Sequence, residues 1–334
     1  MHTLLDPSIL FFIFGIAAGL LKSNLEIPPA ISRFLSLYLL MALGLKGGFA
    51  LAASGITGAV SASLFAAILL AVVIPLLDFE ILRRMMPSLD AISVAATYGS
   101  VSAVTFITTT QYLENQGIVF GGHMAASMAL MESPAIIIAV LMANKIRMAN
   151  TAGSAMVSGN GQLSLTGGGM PSMPLGKLLH ESFTDGAQLL LLGAMLIGII
   201  TGEAGQQMMH PFSVDLFKGM LAFFLLDMGM QVAKNWPSLR QQSALVIVYA
   251  IIAPLVHALL ALVLAHTLGL EVGNTILLVV LASSASYIAV PAVIRYAIPE
   301  ASPSLYLGLS LGVTFPLNLL FGIPFYVWLV TSLA

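Results

Sequence analysis

Two stretches of this sequence place hydroxyl side chains, a glycine and a proline inside long apolar segments. The first, residues 97–110, reads TYGSVSAVTFITTT, and the second, residues 283–295, reads SSASYIAVPAVIR. Irregular backbone at membrane depth is tolerated only where protein or a water-filled cavity satisfies its hydrogen bonds. Freed carbonyls and hydroxyls suit a hard cation such as sodium, and the amides at a half-helix N-terminus suit an anion. We therefore predict helix breaks at Gly99–Ser100 and at Pro291, and both stretches are candidate ion-binding sites.

Ionisable side chains inside the apolar segments form a second group of chemical candidates. A charge at membrane depth costs about 2.5–3.5 kcal/mol on insertion scales and by default indicates function. Glu132 precedes Pro134, and we interpret it as a cation ligand, a proton carrier or an anchor for unwound backbone. Asp227 lies in FLLDMGMQ, where a functional and a structural role are equally consistent with the sequence. Arg295 closes the second hydroxyl stretch and is interpreted as a topology residue, with positive potential beside an anion as the alternative.

Other polar residues in these segments have a structural explanation. Ser and Thr in membrane helices commonly bond the carbonyl four residues earlier or a neighbouring helix. For any single hydroxyl we prefer this explanation, and only the paired clusters favour a ligand site. His123, His257 and His266 are likewise interpreted as packing or interfacial residues.

The elements that must position these groups are membrane helices. Of the 334 residues, 59% are hydrophobic and 8% are charged, and the mean hydropathy is +1.01. Soluble domains are about 25% charged, so the composition excludes an ordinary soluble protein. The absence of cysteine excludes disulfides, thiol catalysis and cysteine metal sites. Because no basic patch indicates nucleic acid and no G-x-S-x-G, HExxH or Walker A motif occurs, we predict a protein that is not an enzyme, needs no cofactor and relies on ion gradients.

Ten apolar runs are candidates for membrane spans. The first and sixth are short, and the tenth contains Pro316 and Pro324, which predict a kink. The two hydroxyl stretches fall in the fourth and ninth spans. The predicted spans are Pro7–Leu21, Ala30–Ala50, Gly58–Leu77, Ala91–Leu113, His123–Ala143, Gly186–Thr201, Ser213–Val232, Ala244–Leu268, Asn274–Ala297 and Ser304–Leu333.

Basic residues predict the orientation of these spans. The chain has 12 Lys and Arg, and all but Lys46 and Lys218 lie in the odd-numbered loops. Positive charge accumulates on the cytoplasmic side of membrane proteins. The pattern therefore predicts that both termini face outward and that the longest loop, residues 145–185, faces the cytoplasm.

The longest loop divides the predicted spans five and five, and an odd number forces the second half to enter the membrane with the opposite sense. An offset of 186 residues aligns Ser100 with Ser286 and Glu114 with Glu300. We therefore predict an all-α polytopic membrane protein with ten transmembrane helices in a 5+5 inverted repeat, with helices four and nine broken. The predicted divisions are a first five-helix repeat (residues 1–147), a cytoplasmic linker loop (148–185) and a second, inverted repeat (186–334).

At these motifs the chain resembles a known family, the bacterial sodium-dependent bicarbonate permeases of the single-component type described in cyanobacteria. Matching segments are LGLKGGFAL in span two, YGSVSAVTF in span four, MESPAIIIAVLMAN in span five and MGM in span seven. The most specific segment runs from span nine into span ten and reads SASYIAVPAVIRYAIPEASPSLYLGLSLGVTFPLNLLFGIP. The similarity covers essentially all ten spans.

The resemblance implies a core domain, in which broken spans four and nine cross, that moves against a gate domain. It also implies sodium-coupled bicarbonate uptake, a homotrimer in a bacterial inner membrane and a PII-like regulator. Glu132 matches the acidic residue of the family's Met-Asp-x-Pro-Ala segment. The candidate anion-binding residues are Gly99, Ser100, Ser102, Thr105, Ser284, Ser286 and Tyr287, and the candidate sodium ligands are Ser100, Thr105, Glu132 and Ser286.

The chain departs from the family pattern in two places. Cyanobacterial members have an Asp where this chain has Tyr287, so one natural sodium ligand is missing. The central loop lacks the charged character of the cyanobacterial one, which weakens the case for the regulator. We predict a sodium-driven bicarbonate symporter. The alternatives are a carrier of another small organic anion, a cation/proton antiporter, or a membrane-embedded ion sensor or interaction protein.

Overall fold

The computed structural model describes residues 6–55, 57–157, 186–240 and 242–333. All regular structure within these ranges is helical, which confirms the predicted all-α class for the described part of the chain. The α-helices are α1 (Pro7–Leu20), α2 (Pro29–Ser54), α3 (Gly58–Leu82), α4 (Ser88–Gly99), α5 (Ala103–Gln116), α6 (Met124–Val157), α7 (Gly186–His210), α8 (Phe217–Leu239), α9 (Ala244–Thr267), α10 (Val272–Ser283), α11 (Ala289–Ala297), α12 (Pro303–Leu309), α13 (Phe315–Leu317) and α14 (Ile323–Leu333).

Two of the predicted spans are each divided into two helices. In the fourth, α4 ends at Gly99 and α5 begins at Ala103. In the ninth, α10 ends at Ser283 and α11 begins at Ala289. The second break therefore precedes Pro291, although the sequence predicted it at that proline. Pro291 lies in the first turn of α11, where a missing N–H leaves no helical hydrogen bond unmade.

The last predicted span bends through two wide turns. Two five-residue π-helical turns, Ser310–Thr314 and Asn318–Gly322, separate α12, α13 and α14. Pro316 and Pro324 each follow one of these turns. A proline ring clashes with the carbonyl four residues earlier in a regular α-helix, and the wider π turn makes room for it. The predicted kink is therefore present and is spread over two turns.

Four helices form one group through close glycine crossings. Helix α1 packs on α8, and α2 packs on α7. A Cβ atom added at Gly15 would lie 2.2 Å from a carbonyl oxygen of α8, and one added at Gly48 would lie 2.1 Å from a carbonyl oxygen of α7. Backbones that approach this closely gain van der Waals contact, which drives helix association in lipid. We call α1, α2, α7 and α8 the scaffold helices.

The remaining helices, α3–α6 and α9–α14, are called the core helices and surround the two breaks. Every residue of α10 from Gly273 to Ser283 is buried, so this helix lies inside the protein. Helix α3 packs on α4 and α6, and α9 packs on α10. The outward faces of α3 and α9 carry exposed apolar side chains such as Phe65 and Leu259. These faces suit contact with lipid.

Length and composition support a multi-pass membrane protein. Seven segments of the described chain are helical, long and apolar enough to cross a membrane, and α1 and α10 are shorter apolar helices. The count of ten spans stays a prediction. The seven segments are Pro29–Ala53, Gly58–Leu82, Ser88–Gln116, Met124–Ala149, Gly186–Pro237, Ala244–Thr267 and Pro303–Leu333.

Several helices extend beyond their predicted ends, α6 and α7 the furthest. Helix α6 continues to Val157, so the first part of the predicted linker is helical, and residues 158–185 of that linker lie outside the described residues. Helix α7 continues to His210 past its predicted end at Thr201. The next residue, Gly202, has φ 52° and kinks the helix. The glycine that follows the predicted end therefore marks a bend inside a longer helix.

Candidate functional site

The two helix breaks touch each other through hydrogen bonds of the backbone. The Ser102 amide donates to the Ser284 hydroxyl at 2.9 Å, so the first break is tied to the second. In the other direction, the Ser286 amide donates to the carbonyl of Thr97 at 2.8 Å. A break that frees backbone groups at membrane depth must satisfy them. Here each break satisfies part of the other.

Hydroxyl side chains close the helix ends beside the breaks. The Ser102 hydroxyl caps α5 by accepting from the Thr105 amide at 3.2 Å and from the Thr105 hydroxyl at 2.9 Å. The Ser286 hydroxyl accepts from the Val290 amide in the first turn of α11 at 3.3 Å. The Ser284 hydroxyl donates to the Leu281 carbonyl at 2.8 Å. These bonds explain why the breaks need hydroxyl residues even without a bound ion.

The second break is also held by the last helices. The Asn318 side-chain amide donates to the Ser283 carbonyl, which the end of α10 leaves free, at 2.7 Å. The Tyr326 hydroxyl in turn donates to the Asn318 side-chain oxygen at 3.2 Å. Sequence reasoning missed Asn318. The available signal was an asparagine between two prolines in an otherwise apolar span.

Both breaks border one cavity of about 130 Å³, which we call the site cavity. Its walls come from the breaks, the first turns of α5 and α11, and helices α2, α6 and α7. The first-turn amides of a helix have no intrahelical acceptor and carry the positive end of the helix dipole. Two such ends therefore converge on the cavity. Its polar side chains are Ser36, Ser102, Glu132, Gln188, Ser286 and Tyr287.

Glu132 brings a carboxylate to the cavity wall. The Gln188 side-chain amide donates to it at 2.7 Å, and the Ser133 hydroxyl bonds the Gln188 oxygen at 3.4 Å. This chain fixes the carboxylate across the contact between α6 and α7. The cavity thus combines positive backbone ends with one acidic side chain, a combination that can hold an anion and a cation together. Gln188 was not singled out in the sequence, where it is simply a polar residue at the start of an apolar run.

Two buried hydroxyls at the breaks are without partners. Neither the Ser100 hydroxyl nor the Tyr287 hydroxyl makes a hydrogen bond among the described residues. The Ser102 side chain lies near the Tyr287 hydroxyl but outside hydrogen-bonding geometry. The Tyr287 ring itself packs on Phe315, with ring centroids 5.0 Å apart. Buried polar atoms rarely lack a partner. Tyr287 lines the cavity, so its hydroxyl is available to a ligand there, whereas Ser100 is buried at the first break outside the cavity wall.

The remaining sequence candidates lie around the cavity or away from it. Ser100, Thr105 and Ser284 are buried at the breaks but do not line the cavity, and Gly99 faces Pro75 of α3. Asp227 accepts from the Ser32 hydroxyl at 2.5 Å and from Gln231 at 2.9 Å, which ties α8 to α2 within the scaffold. Arg295 is exposed in the last turn of α11 and does not line the cavity.

A second cavity, of about 280 Å³, continues along the same two helices and is called the outer cavity. Leu43 and Lys46 of α2 and Met124 of α6 line it, whereas Leu40 and Met128 line the site cavity. At its wall the Lys46 ammonium pairs with Glu114 of α5 at 2.5 Å. The two cavities therefore lie in series between scaffold and core helices, separated by apolar Leu and Met side chains.

Comparison with known proteins identifies the family. No curated protein gives a significant match to the chain. A family model, described as the Na+-dependent bicarbonate transporter superfamily, matches residues 7–331. This range includes both breaks, the lining of the site cavity and all the described helices except the last two residues of α14. The chain belongs to the Na+-dependent bicarbonate transporter superfamily.

Proposed function

We propose that this protein is a symporter that couples bicarbonate uptake to the sodium gradient, with both ions bound at the site cavity. The observation that carries the proposal is the convergence of two helix N-termini and the Glu132 carboxylate on one small cavity. Membership of the family supports the choice of ions.

In this proposal the anion meets the first-turn amides of α5 and α11. Residues 102–104 and 287–289 line the cavity and present these turns. Backbone amides with the helix dipole behind them favour an anion without a basic side chain. The Tyr287 hydroxyl, which has no partner within the described part of the chain, can donate to an anion oxygen. The buried Ser102 hydroxyl accepts two bonds within α5 and orients that turn.

Sodium is proposed to bind among oxygen atoms beside the anion. Hard cations take carboxylate, carbonyl and hydroxyl oxygens. The Glu132 carboxylate and the Ser286 hydroxyl line the site cavity. Thr105 bonds the cavity-lining Ser102, and the Ser100 hydroxyl, buried at the first break, has no partner among the described residues. Among the described residues, no group of three or more His, Cys, Asp or Glu forms a metal cluster. A single carboxylate with neutral oxygens suits a weakly held monovalent ion, since a carrier must release what it binds.

The size of the cavity favours a small inorganic anion over a larger organic one. At about 130 Å³ the cavity holds roughly four waters at liquid density. Pockets for drug-sized ligands are roughly 300–1,000 Å³. Bicarbonate with a sodium ion fits the smaller volume.

Alternating access is proposed to occur by the core helices sliding against the scaffold helices. The outer cavity, which continues from the site cavity along α2 and α6, supports this motion as a path from the site toward one side of the membrane. The 5+5 inverted repeat, with divisions at residues 1–147, 148–185 and 186–334, is part of the proposal. The paired contacts α1 with α8 and α2 with α7 support it, since an inverted repeat exchanges one contact for the other.

Topology and assembly complete the proposal. The distribution of Lys and Arg supports outward termini and a cytoplasmic central loop in a bacterial inner membrane. A homotrimer and a PII-like regulator rest on the family resemblance alone.

The direct test is uptake of labelled bicarbonate by proteoliposomes under an inward sodium gradient, compared with potassium. We expect uptake only with sodium. Glu132→Gln should weaken the sodium dependence, since it removes the one carboxylate at the cavity. Asp227→Asn is the matched control, because Asp227 is a buried carboxylate away from the cavity wall. Equal uptake in sodium and potassium would contradict the coupling, and preferred uptake of a dicarboxylate would contradict the substrate.

A further inference from the structure

A buried acidic residue that pairs with a histidine lies outside the site cavity, between two core helices. Asp78 of α3 and His257 of α9 face each other, with the Asp78 Oδ1 atom 2.9 Å from the His257 Nε2 atom. Their side chains are only 2% and 4% exposed. Helices α3 and α9 are the two most hydropathic candidate spans. A carboxylate here is costly, and pairing with a cationic imidazole or sharing a proton with it removes the net charge.

The pair leaves polar atoms open on both of its sides. The Asp78 Oδ2 and His257 Nδ1 atoms are buried without a hydrogen-bond partner among the described residues, and so is the Tyr249 hydroxyl. The Tyr249 hydroxyl lies close enough to the Asp78 carboxylate for an electrostatic interaction, but the two groups do not meet hydrogen-bond geometry. A purely structural pair would be expected to have these atoms satisfied, because unsatisfied buried polar groups are costly. The open atoms are positions where a further proton can be bound.

A cavity of about 280 Å³ leads from this pair toward the ends of its helices. Asp78, His257 and Tyr249 line one part of it, and Met85 and Leu245 line another. Met85 follows Arg83 and Arg84 directly in the chain, and basic residues predict the cytoplasmic side. Most of the remaining wall is apolar, so the polar end beside the pair is where water would find partners. The cavity therefore runs from the pair, between the exposed apolar faces of α3 and α9, to the helix ends beside Arg83 and Arg84.

The titratable surroundings of the pair are few. Tyr98 of α4 lies against Tyr249 and His257, with ring centroids 5.3 Å and 6.5 Å away respectively. From the last span, Thr314 brings only a hydroxyl, which bonds Tyr98 at 2.6 Å. Among the described residues no other charged side chain bonds or pairs with Asp78 or His257. Glu80 and Arg83 of α3 pair with each other at the surface.

The pair is packed directly behind the first helix break. Pro75 lies one turn before Asp78 on α3 and contacts Gly99, the last residue of α4. The Thr314 hydroxyl donates to the Ala250 carbonyl of α9 at 2.9 Å while it bonds Tyr98. A change in the contact between α3 and α9 is therefore passed to the end of α4, where the break begins.

We propose that the Asp78–His257 pair is a proton-binding site, separate from the site cavity, whose occupancy controls the transport rate. With the His257 Nε2–H donating to the Asp78 carboxylate, the pair carries one negative charge. A proton bound at the open His257 Nδ1 atom makes the imidazole cationic and the pair neutral, which adds an ionic attraction between α3 and α9. The control of transport rests on the proposed function, whereas the binding of the proton does not. A proton sensor suits a bicarbonate carrier, because pH sets the balance between bicarbonate and dissolved carbon dioxide.

Proton binding is tested first without transport. The side-chain nitrogen signals of labelled histidine are recorded by NMR on the protein in nanodiscs from about pH 5 to about pH 8, where imidazoles change charge. Among the six histidines, the signal lost in His257→Gln is assigned to His257. We expect this signal to titrate and its midpoint to move in Asp78→Asn. A signal that stays constant across the range would overturn the proposal.

Control of transport is tested by sodium-driven uptake as internal pH is varied. We expect Asp78→Asn and His257→Gln to lose the pH dependence of the wild type, while Glu80→Gln, on the same helix, keeps it. If Asp78→Asn does not fold, Tyr249→Phe takes its place with a shifted dependence expected. If the folded variants keep the wild-type pH profile, the pair is structural and the proposed control of transport is wrong. Titration of His257 in a protein that moves no bicarbonate would refute the proposed function and leave the proton site standing.

Discussion

Three residues separate α4 from α5, whereas five separate α10 from α11. The first break is closed by its own sequence, since Ser102 caps α5, and most of α5 is buried. The second break has no side-chain cap at Ile288, and only four residues of α11 are buried. It depends on Asn318 and Tyr326 from the last helices. A break can thus be encoded locally or be completed by distant residues, and this chain uses both.

The largest expected effect falls on the first break. A Cβ atom added at Gly99 would lie 2.6 Å from three ring atoms of Pro75, and a proline ring cannot move aside. We expect Gly99→Ala to destabilise the protein by about 3 kcal/mol through overpacking. Thermal unfolding in detergent measures it. Gly193→Ala is the control, because Gly193 has nothing within 4 Å of the added atom; equal losses in both variants would contradict the packing argument.

The second break is expected to fail when its distant support is removed. Asn318→Leu leaves the Ser283 carbonyl without its donor and the Tyr326 hydroxyl without its acceptor. We expect a loss of about 2 kcal/mol in unfolding free energy, as for buried polar groups left unpaired. Tyr326→Phe removes only the outer bond and should cost less. If the two variants cost the same, Asn318 does not hold the break.

The serine bonds to the first-turn amides of α5 and α11 sharpen the comparison at a smaller scale. Ser102→Ala removes the cap of α5 and should cost about 1 kcal/mol. Ser286 accepts one bond, from the Val290 amide at 3.3 Å, whereas Ser102 accepts from the Thr105 amide at 3.2 Å and also from the Thr105 hydroxyl. We therefore expect Ser286→Ala to cost roughly half as much. Chemical denaturation of both variants in the same detergent gives the difference. The reverse order would mean that α11 relies on its cap more than α5 does.

The smallest effect concerns an ion pair just beyond the end of α11. Glu300, beyond α11, accepts two bonds from Arg147 of α6, at 2.7 Å and 2.9 Å. These bonds hold the pKa of Glu300 below its ordinary value. The stabilisation is therefore present above the ordinary glutamate pKa and is lost as pH falls through the lowered one. Arg147→Gln should cost about 0.2–1 kcal/mol at neutral pH and nothing once Glu300 is protonated.

Unfolding at neutral and acidic pH measures this pair. Arg83→Gln, which breaks an exposed pair within a single helix, is the matched control. A cost for Arg147→Gln that persists in acid would show that Arg147 acts through packing or its bond to the Ala297 carbonyl instead.

The position of the first break was readable because local composition causes it, whereas the second break lies before the proline at which it was predicted. A glycine followed by hydroxyls at residues 99–105 predicts a helix end and a cap, and α4 does end at Gly99. Partners that arrive from far along the chain were not readable. Gln188 reaches Glu132, and Asn318 reaches Ser283, through packing that no periodicity records.

Asp78 was missed for a different reason. The predicted third span ended at Leu77, one residue earlier, because the acidic residues and arginines that follow resemble a loop. The helix instead continues to Leu82, and Asp78 is buried against His257. A buried charge near a span end is recognisable only once its partner helix is placed.

The hydrogen bonds between the two breaks can form only late in the synthesis of the chain. The acceptor of the Ser102 amide is the hydroxyl of Ser284, which is synthesised 182 residues later. Ribosomes add about 5–20 residues per second, so the nascent first half spends roughly 10–40 s in the bilayer with this amide and the Thr97 carbonyl unmatched. The bonds that join the two breaks therefore form together, late in synthesis. A chain truncated before residue 284 is expected to be degraded by quality-control proteases.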